Sequence, residues 1–237
     1  MIPQTDIVLP FRATREFPAE KYFIECVDTL CQHTMNFRFI FVDDQCDADA
    51  RAILEQTAAR FPDSLLIRTH RQHWFTKAVN LGLRMVRTPW VVCLNSDTVL
   101  DHGWLEEMYS VRDEAEAQIG KRVGLVGSVL SGEEPRRWAA SYNPDYVTGH
   151  AWLLSMQALT DVSVARGTPG IYLDETRPDA IHIRSDVFLS WDLNRLGWEC
   201  VKSFKSAVGH VAGKSWGHQL HRIPQSLADV AYKYYGG

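Results

Sequence analysis

Short apolar runs alternate with longer amphipathic stretches through the first hundred residues. Asp6-Ile7-Val8-Leu9 closes at Pro10, and Phe37-Arg38-Phe39-Ile40-Phe41-Val42 closes at Asp43-Asp44. Leu65-Leu66-Ile67 lies within Ser64 to Thr69, and Trp90-Val91-Val92-Cys93-Leu94 closes at Asn95-Ser96-Asp97. These runs predict strands. Between them, residues 18–34, 47–61 and 75–87 have helical spacing; in the last, Ala78, Leu81, Gly82 and Met85 share one face. Strand alternating with helix predicts βαβ units and an α/β fold with a central, mainly parallel sheet flanked by helices. The almost wholly apolar fourth run fits a strand covered on both faces. Ligands of such sheets bind outside the carboxyl ends of the strands. Asp43-Asp44 and Asn95-Ser96-Asp97 fall there.

The second half is less regular. Residues 101–118 read as a helix with Asp101 as N-cap, Val123 to Leu130 as a strand, and the turn-rich 131–147 as a surface loop. Gly149 to Leu154 reads as another strand, and Gly167-Thr168-Pro169-Gly170 as a breaker. Asp179 to Leu196 reads as a helix with Ile183, Val187 and Trp191 along one stripe. A last strand is expected within 205–211 and a closing helix at 224–235. No repeat, low-complexity tract or linker divides the 237 residues, so a single domain is expected.

Composition narrows the class. Hydrophobic residues make up 46% and charged residues 23%, the balance of a globular protein. The formal net charge of −4 lacks the basic excess of a general nucleic-acid binder. No apolar run approaches the roughly 18 residues of a membrane span. MIPQTDIVLPFR lacks the features of a signal peptide. The five cysteines include no CxxC pair, which disfavours a disulfide framework or a zinc-thiolate site. A cytoplasmic protein with buried thiols is the expectation.

Four constellations can carry chemistry, and each has a plainer reading. Asp43-Asp44 is either a helix cap with a solvated neighbour, or an acceptor for a ligand N–H such as a nucleobase imide. Asn95-Ser96-Asp97-Thr98 offers oxygen ligands suited to Mg2+ or Mn2+, which needs one or two carboxylates when substrate phosphates complete the shell. The same residues are turn formers. Asp186 stands beside Val187, Phe188, Leu189 and Trp191. Apolar surroundings would raise its pKa towards that of a general base, whereas solvent would leave an ordinary helix carboxylate. His210, near a predicted strand end, is a metal-ligand candidate or a structural histidine, with His218 and His221 as rivals. Gly209 to Ser215 is not a Walker loop, because only three residues separate its glycines. Neither G-x-G-x-x-G after the first strand nor G-x-S-x-G occurs, which removes the dinucleotide-binding and α/β-hydrolase signatures.

The order and spacing of these signals are more specific than any one of them. Ile7-Val8-Leu9-Pro10, Phe41-Val42-Asp43-Asp44, Ala78-Val79-Asn80-Leu81-Gly82 and Leu94-Asn95-Ser96-Asp97-Thr98 together resemble family 2 glycosyltransferases of the GT-A fold. The likeness continues through Gly103-Trp104-Leu105, Gly149 to Leu159, Leu173-Asp174-Glu175, and Ser185 to Trp191 followed by Gly197-Trp198. It ends at His210 to Ser215. Three positions depart from the family pattern: Asn95 replaces the first Asp of D-x-D, Ser185 replaces a Glu, and Gln72-His73-Trp74 replaces an N-x-G.

The resemblance implies a single Rossmann-like GT-A domain over 1–237. About 1–98 would be the nucleotide-binding half, and about 99–237 the acceptor-binding half with its tail. It implies an inverting transfer of sugar from a nucleotide-diphosphate sugar, UDP-type favoured, to an acceptor hydroxyl. Asp44 would read the base. Pro10, Phe11, Arg12, Lys77, Asn95 and Ser96 would complete the donor site, Asp97 and His210 would bind Mn2+ or Mg2+, and Asp186 would be the base. Trp138, Gly149, His150 and Trp152 would face an acceptor that is a saccharide, lipid-linked glycan, protein or modified DNA base. The last 41 residues hold Lys202, Lys205, Lys214, Arg222 and Lys233 against Glu199 and Asp229, a local charge of +3 that would fold over the diphosphate or remain a solvated face. A sugar-nucleotide nucleotidyltransferase and a non-catalytic sugar-nucleotide-binding protein are the alternatives.

Overall fold

A computed structural model of the chain describes residues 2–129, 135–177, 184–206 and 208–210. Its strands are β1 Thr5–Phe11, β2 Phe37–Asp43, β3 Leu65–Arg68, β4 Trp90–Leu94, β5 Thr98–Leu100, β6 Val123–Ser128, β7 Trp138–Ala140, β8 Ala151–Ser155, β9 Glu199–Ser203 and β10 Val208–His210. Its helices are α1 Glu20–His33, α2 Ala48–Ala59, α3 Trp74–Leu83, α4 Trp104–Ile119, α5 Met156–Ala165 and α6 Ser185–Arg195.

Eight strands form one sheet in the order β3-β2-β1-β4-β8-β6-β9-β7. β3, β2, β1 and β4 run parallel, β8 is antiparallel to both β4 and β6, and β9 runs parallel to β6. Among the described residues, only β8 and the edge strand β7 therefore oppose the common direction. A second, two-stranded sheet pairs β10 antiparallel with β5.

Alternate strand residues feed two cores, as the two-residue period of a strand dictates. Ile7, Leu9, Phe39, Phe41, Val92 and Leu94 pack towards α1, α2 and α4, with Phe11 stacked on Phe23 at 4.2 Å. Val8, Ile40, Val91, Cys93 and Trp152 face α3, α5 and α6 on the other side. At the amino ends of the strands, Asp6 and Arg38 form a buried two-point ion pair across the β1–β2 register, at 2.7 and 2.8 Å. The Asp6 carboxylate also accepts the Arg87 N–H, so the buried charges are matched and hydrogen-bonded.

Gly82 shows why the A-x-N-x-G helix needs its glycine. A Cβ there would stand 2.4 Å from Val8 Cγ1, so only glycine lets α3 approach β1 this closely.

Several expectations change. The N-cap of α4 is Gly103 in a left-handed conformation, not Asp101, whose carboxylate accepts the adjacent His102 N–H instead. The expected surface loop 131–147 contains β7, which joins the sheet edge against β9. The α3 stripe runs through Ala78, Val79, Gly82 and Leu83; Met85 lies beyond the helix and is 43% exposed. In α6 the buried face is Phe188, Leu189 and Leu193, not Val187 and Trp191, because the helix meets β9 and α5 through that side. Ile183, the nearby residues 178–182 and the closing helix at 224–235 lie outside the described residues. All five cysteines are free, and four are buried. Among the described residues no helix is long and apolar enough to cross a membrane.

Candidate active site

The carboxyl ends of β1, β2, β3 and β4 converge on one side of the molecule, and the predicted ligand-binding residues emerge there.

Asp44 is fully buried after β2. One carboxylate oxygen accepts the His73 N–H at 2.6 Å and the Thr69 hydroxyl at 3.3 Å; the other accepts the Trp74 N–H at 2.9 Å. Asp44 thus caps the start of α3, where a negative charge meets the positive end of the helix dipole. It also holds Trp74 at φ 62, a left-handed conformation that costs a non-glycine residue free energy. Burial raises its pKa to about 6, against the lowering effect of the His73 and Trp74 amides. The cap of α2 is a different residue, Asp47, which accepts the Ala50 N–H. Asp43 accepts the Cys46 N–H at 2.7 Å and faces Arg51 at 3.3 Å.

Arg12 follows β1 at the same end. Its Nε and Nη1 are buried without a hydrogen-bond partner among the described residues. It borders a cleft of about 530 Å³ shared with Thr14, Gln45, Arg51, Thr69 and His70. Pro10 is buried in β1, and Phe11 turns its ring into the core, leaving its carbonyl to accept the Asp44 N–H at 2.9 Å. Lys77 lies in the first turn of α3, half-buried near His73.

The turn after β4 is built more tightly. Thr98 donates its hydroxyl to the Asn95 carbonyl at 2.9 Å. The Cys26 thiol, reaching from α1, lies 3.3 Å from the Thr98 hydroxyl and 3.6 Å from the Asn95 carbonyl. Burial pushes that thiol up to about 12, so it stays protonated under the turn. Asp97 is 1% exposed, and its Oδ1 lies 3.1 Å from His210 Nε2. The pairing of β10 with β5 sets His210 opposite Thr98 and so beside Asp97, 113 residues away in sequence. Asn95 Nδ2 lies 3.3 Å from the same imidazole nitrogen, while Asn95 Oδ1 and Ser96 Oγ are buried without partners among the described residues.

β8 continues the site across the sheet. The His150 carbonyl accepts the Asn95 N–H at 2.9 Å, and its ring stacks on His210 with centroids 5.3 Å apart. Burial, with His210 beside it, lowers the His150 pKa to about 4. Gly149 fits between two side chains: a Cβ there would stand 2.9 Å from Trp152 Cζ2 and 3.4 Å from Asp186 Cβ. Asp186 stands in the first turn of α6 with Oδ1 accepting the Val187 N–H at 2.9 Å. Burial raises its pKa to about 6, partly offset by the amides at the helix start and at Gly149 and by Arg184.

Asp97, His210, Asn95, Ser96, His150, Gly149 and Asp186 are thus linked by direct contacts or chain adjacency. Trp138 is not among them: it lies in edge strand β7 and donates its indole N–H to Glu114 of α4 at 2.9 Å. Trp152 is fully buried and supports Gly149 from beneath. Lys202 pairs with Asp145, and His218, His221 and the tail cations beyond residue 210 lie outside the described residues.

One functional link escaped the sequence reading. Asn80 of α3 is buried and makes four hydrogen bonds to the segment 172–175. Its amide N–H groups reach the Leu173 carbonyl and Glu175, and its oxygen accepts the Tyr172 and Leu173 N–H groups. The A-x-N-x-G and Leu173-Asp174-Glu175 motifs are therefore one interlocked unit. Their common signal was the Asn at a fixed place before Gly82.

The family model described as glycosyl transferase family 2 matches residues 7–156, more than half of the chain and the stretch that carries β1 to β8. The chain belongs to glycosyl transferase family 2. Similar solved structures support the fold of this family 2 domain. S. aureus TarS 1–349 aligns with a TM-score of 0.60 at 14% identity, over 93% of this chain and 64% of its own. Mannosyltransferase PcManGT from Pyrobaculum calidifontis, in complex with GDP-Man and Mn2+, aligns with a TM-score of 0.64 at 14% identity, over 92% and 60%. This domain has the GT-A fold. The chain spans about three-fifths of the length of these two structures. No curated protein matches the chain by sequence.

Proposed function

We propose that this family 2 domain transfers a sugar from a nucleotide-diphosphate sugar to an acceptor hydroxyl with inversion, using Asp186 as base. The observation that carries this reading is the continuous path from Asp97–His210 through His150 and Gly149 to Asp186, a partly buried carboxylate of raised pKa. A perturbed carboxylate beside a polar cluster at the carboxyl ends of a parallel sheet is the arrangement expected of a catalytic site.

Asp97 and His210 suit a divalent cation. Asp97 Oδ1 and His210 Nε2, a hydrogen-bonded pair 3.1 Å apart, would together hold it, and the Asn95 oxygen, without a partner among the described residues, would add a hard donor. Among the described residues no group of three or more His, Cys, Asp or Glu could hold an ion, so substrate oxygens would complete the shell. The Mn2+ in the PcManGT complex supports the same reading. A bound divalent cation offsets negative charge growing on the leaving diphosphate.

The protein groups then have defined tasks. The cleft beside Arg12 receives the nucleoside, and Arg12 Nε and Nη1, without partners among the described residues, give it cationic donors. Uridine remains the base favoured by the resemblance. With Asp44 already accepting three hydrogen bonds, it is the start of α3, which Asp44 fixes, that borders the base. Asp186 takes the proton of the acceptor hydroxyl as that oxygen attacks the anomeric carbon. The anomeric carbon–phosphate oxygen bond breaks on the opposite face, releasing the nucleoside diphosphate and an inverted glycoside.

Stereochemical analysis of the product checks this scheme. Inverted anomeric configuration and loss of transfer in EDTA, restored by Mn2+, are expected. Retained configuration would exclude a single displacement, and EDTA-insensitive transfer would exclude the metal role.

A further inference from the structure

His150 is 5% exposed, and its Nε2 is buried without a hydrogen-bond partner among the described residues. A polar atom in that state costs free energy until something bonds to it. Its surroundings say which part of a substrate that is. The His150 ring stacks on His210, which faces Asp97, the end of the site that would hold the diphosphate. The preceding residue, Gly149, lies against Asp186, the end that would hold the acceptor. In a single displacement the anomeric carbon stands between the leaving oxygen and the attacking one, so the ring being transferred occupies the interval that residues 149 and 150 line. A sugar hydroxyl both donates and accepts, so it satisfies an imidazole nitrogen in either tautomer.

We infer that His150 Nε2 hydrogen-bonds a hydroxyl of the transferred sugar and helps set which sugar the site accepts. This rests on the glycosyl-donor reading above, and it moves His150 from the acceptor side, where the resemblance put it, to the donor sugar. The contact is absent in the bare nucleoside diphosphate. Loss of His150 should therefore separate binding of the sugar-bearing donor from binding of the nucleotide alone.

The test is calorimetric titration in Mn2+ of wild type, His150→Phe and His150→Asn. The probes are UDP with UDP-glucose and UDP-N-acetylglucosamine, and GDP with GDP-mannose. Phe keeps a ring to stack on His210 but has no nitrogen; Asn keeps a polar group and serves also if the Phe variant fails to fold. The expected result is a five- to tenfold weaker Kd for the wild type's preferred nucleotide sugar in the Phe variant, a smaller loss in Asn, and Kd for the matching nucleoside diphosphate within twofold of wild type. Equal weakening of both ligands would overturn the inference by showing that His150 acts through His210 and the diphosphate. Unchanged binding of both would overturn it by leaving His150 a packing residue. If wild type binds none of the five ligands, the donor-site reading fails and takes the inference with it; binding by wild type with no selective loss sinks the inference alone.

Discussion

Asp186→Asn should lower the turnover of sugar transfer by about 10² to 10⁴, the usual contribution of a positioned general base, while the protein becomes more heat-stable at pH 7.5. The two effects have one cause. The folded state raises the Asp186 pKa from 3.8 to about 6, chiefly by burial, so the ionised carboxylate is disfavoured there. Between those values the folded protein holds a proton that the unfolded chain has lost. Stability therefore falls as pH rises through that window, by at most roughly 3 kcal/mol for such a shift. Asn is neutral and nearly isosteric, so it removes the penalty and the base together. In the wild type, transfer should fall as pH drops through about 6, because protonated Asp186 cannot accept the acceptor's proton. Arg184 favours the ionised form and the amides at the start of α6 act in the same sense, but burial outweighs them. Steady-state kinetics and thermal melting at pH 5.5 and 7.5 check both halves. Full activity in a folded Asp186→Asn protein would refute the assignment.

Asn80→Leu should be the most destabilising single change at the site, at roughly 4 kcal/mol. Asn80 is fully buried, and Leu would leave the Tyr172 and Leu173 N–H groups and the Leu173 carbonyl without their partner. Each buried orphan costs about 1 to 3 kcal/mol. At about 2–4 °C per kcal/mol for a domain of this size, the melting temperature should drop by about 8 °C or more. The change should also loosen residues 172–175, which Asn80 joins to α3 through four hydrogen bonds. Hydrogen exchange at Tyr172 and Leu173 should rise accordingly. A melting temperature within 2 °C of wild type would show that the segment is fixed by other contacts.

Much of the first half was legible because each of its strands is a short apolar run closed by a polar turn. β1 to β4 and α1 to α3 stand within two or three residues of where the pattern put them, except that α3 ends early, at Leu83. The second half carries a weaker signal. β7 is three residues in a turn-rich stretch, and β9, ECVKS, interrupts its apolar residues with Glu199 and Lys202. Both are strands because β6 and each other offer them hydrogen bonds, which local pattern cannot show. The insertion of antiparallel β8 between β4 and β6 is a tertiary choice of the same kind.

The site was legible as residue types at strand ends and illegible as partnerships. Asp44 has the composition of a helix cap, but the helix it caps begins 30 residues later. Phe11 lies at the expected strand end, yet the two-residue period turns its ring inward, and only its carbonyl faces Asp44. The resemblance sets Trp138 and Trp152 at the acceptor; their indoles bond Glu114 and the Val147 carbonyl. Cys26 was read as a buried thiol and is one, but its position beneath the Asn95–Thr98 turn depends on α1 crossing that turn.

The central claim is that Asp97 and His210 hold the metal and diphosphate of a nucleotide-sugar donor. A thermal-shift series with nucleotide sugars in Mn2+, on wild type and Asp97→Ala, tests it most directly, because a ligand that binds only the folded state stabilises it by mass action. At about 100 times its Kd, a ligand adds about 2.7 kcal/mol, or roughly 5–10 °C here. The account predicts such a rise for at least one nucleotide sugar with wild type in Mn2+. It also predicts loss of that rise in EDTA and in Asp97→Ala, each measured against its own ligand-free melting temperature. A rise of the same size in Asp97→Ala, or no rise with any nucleotide sugar, would contradict it.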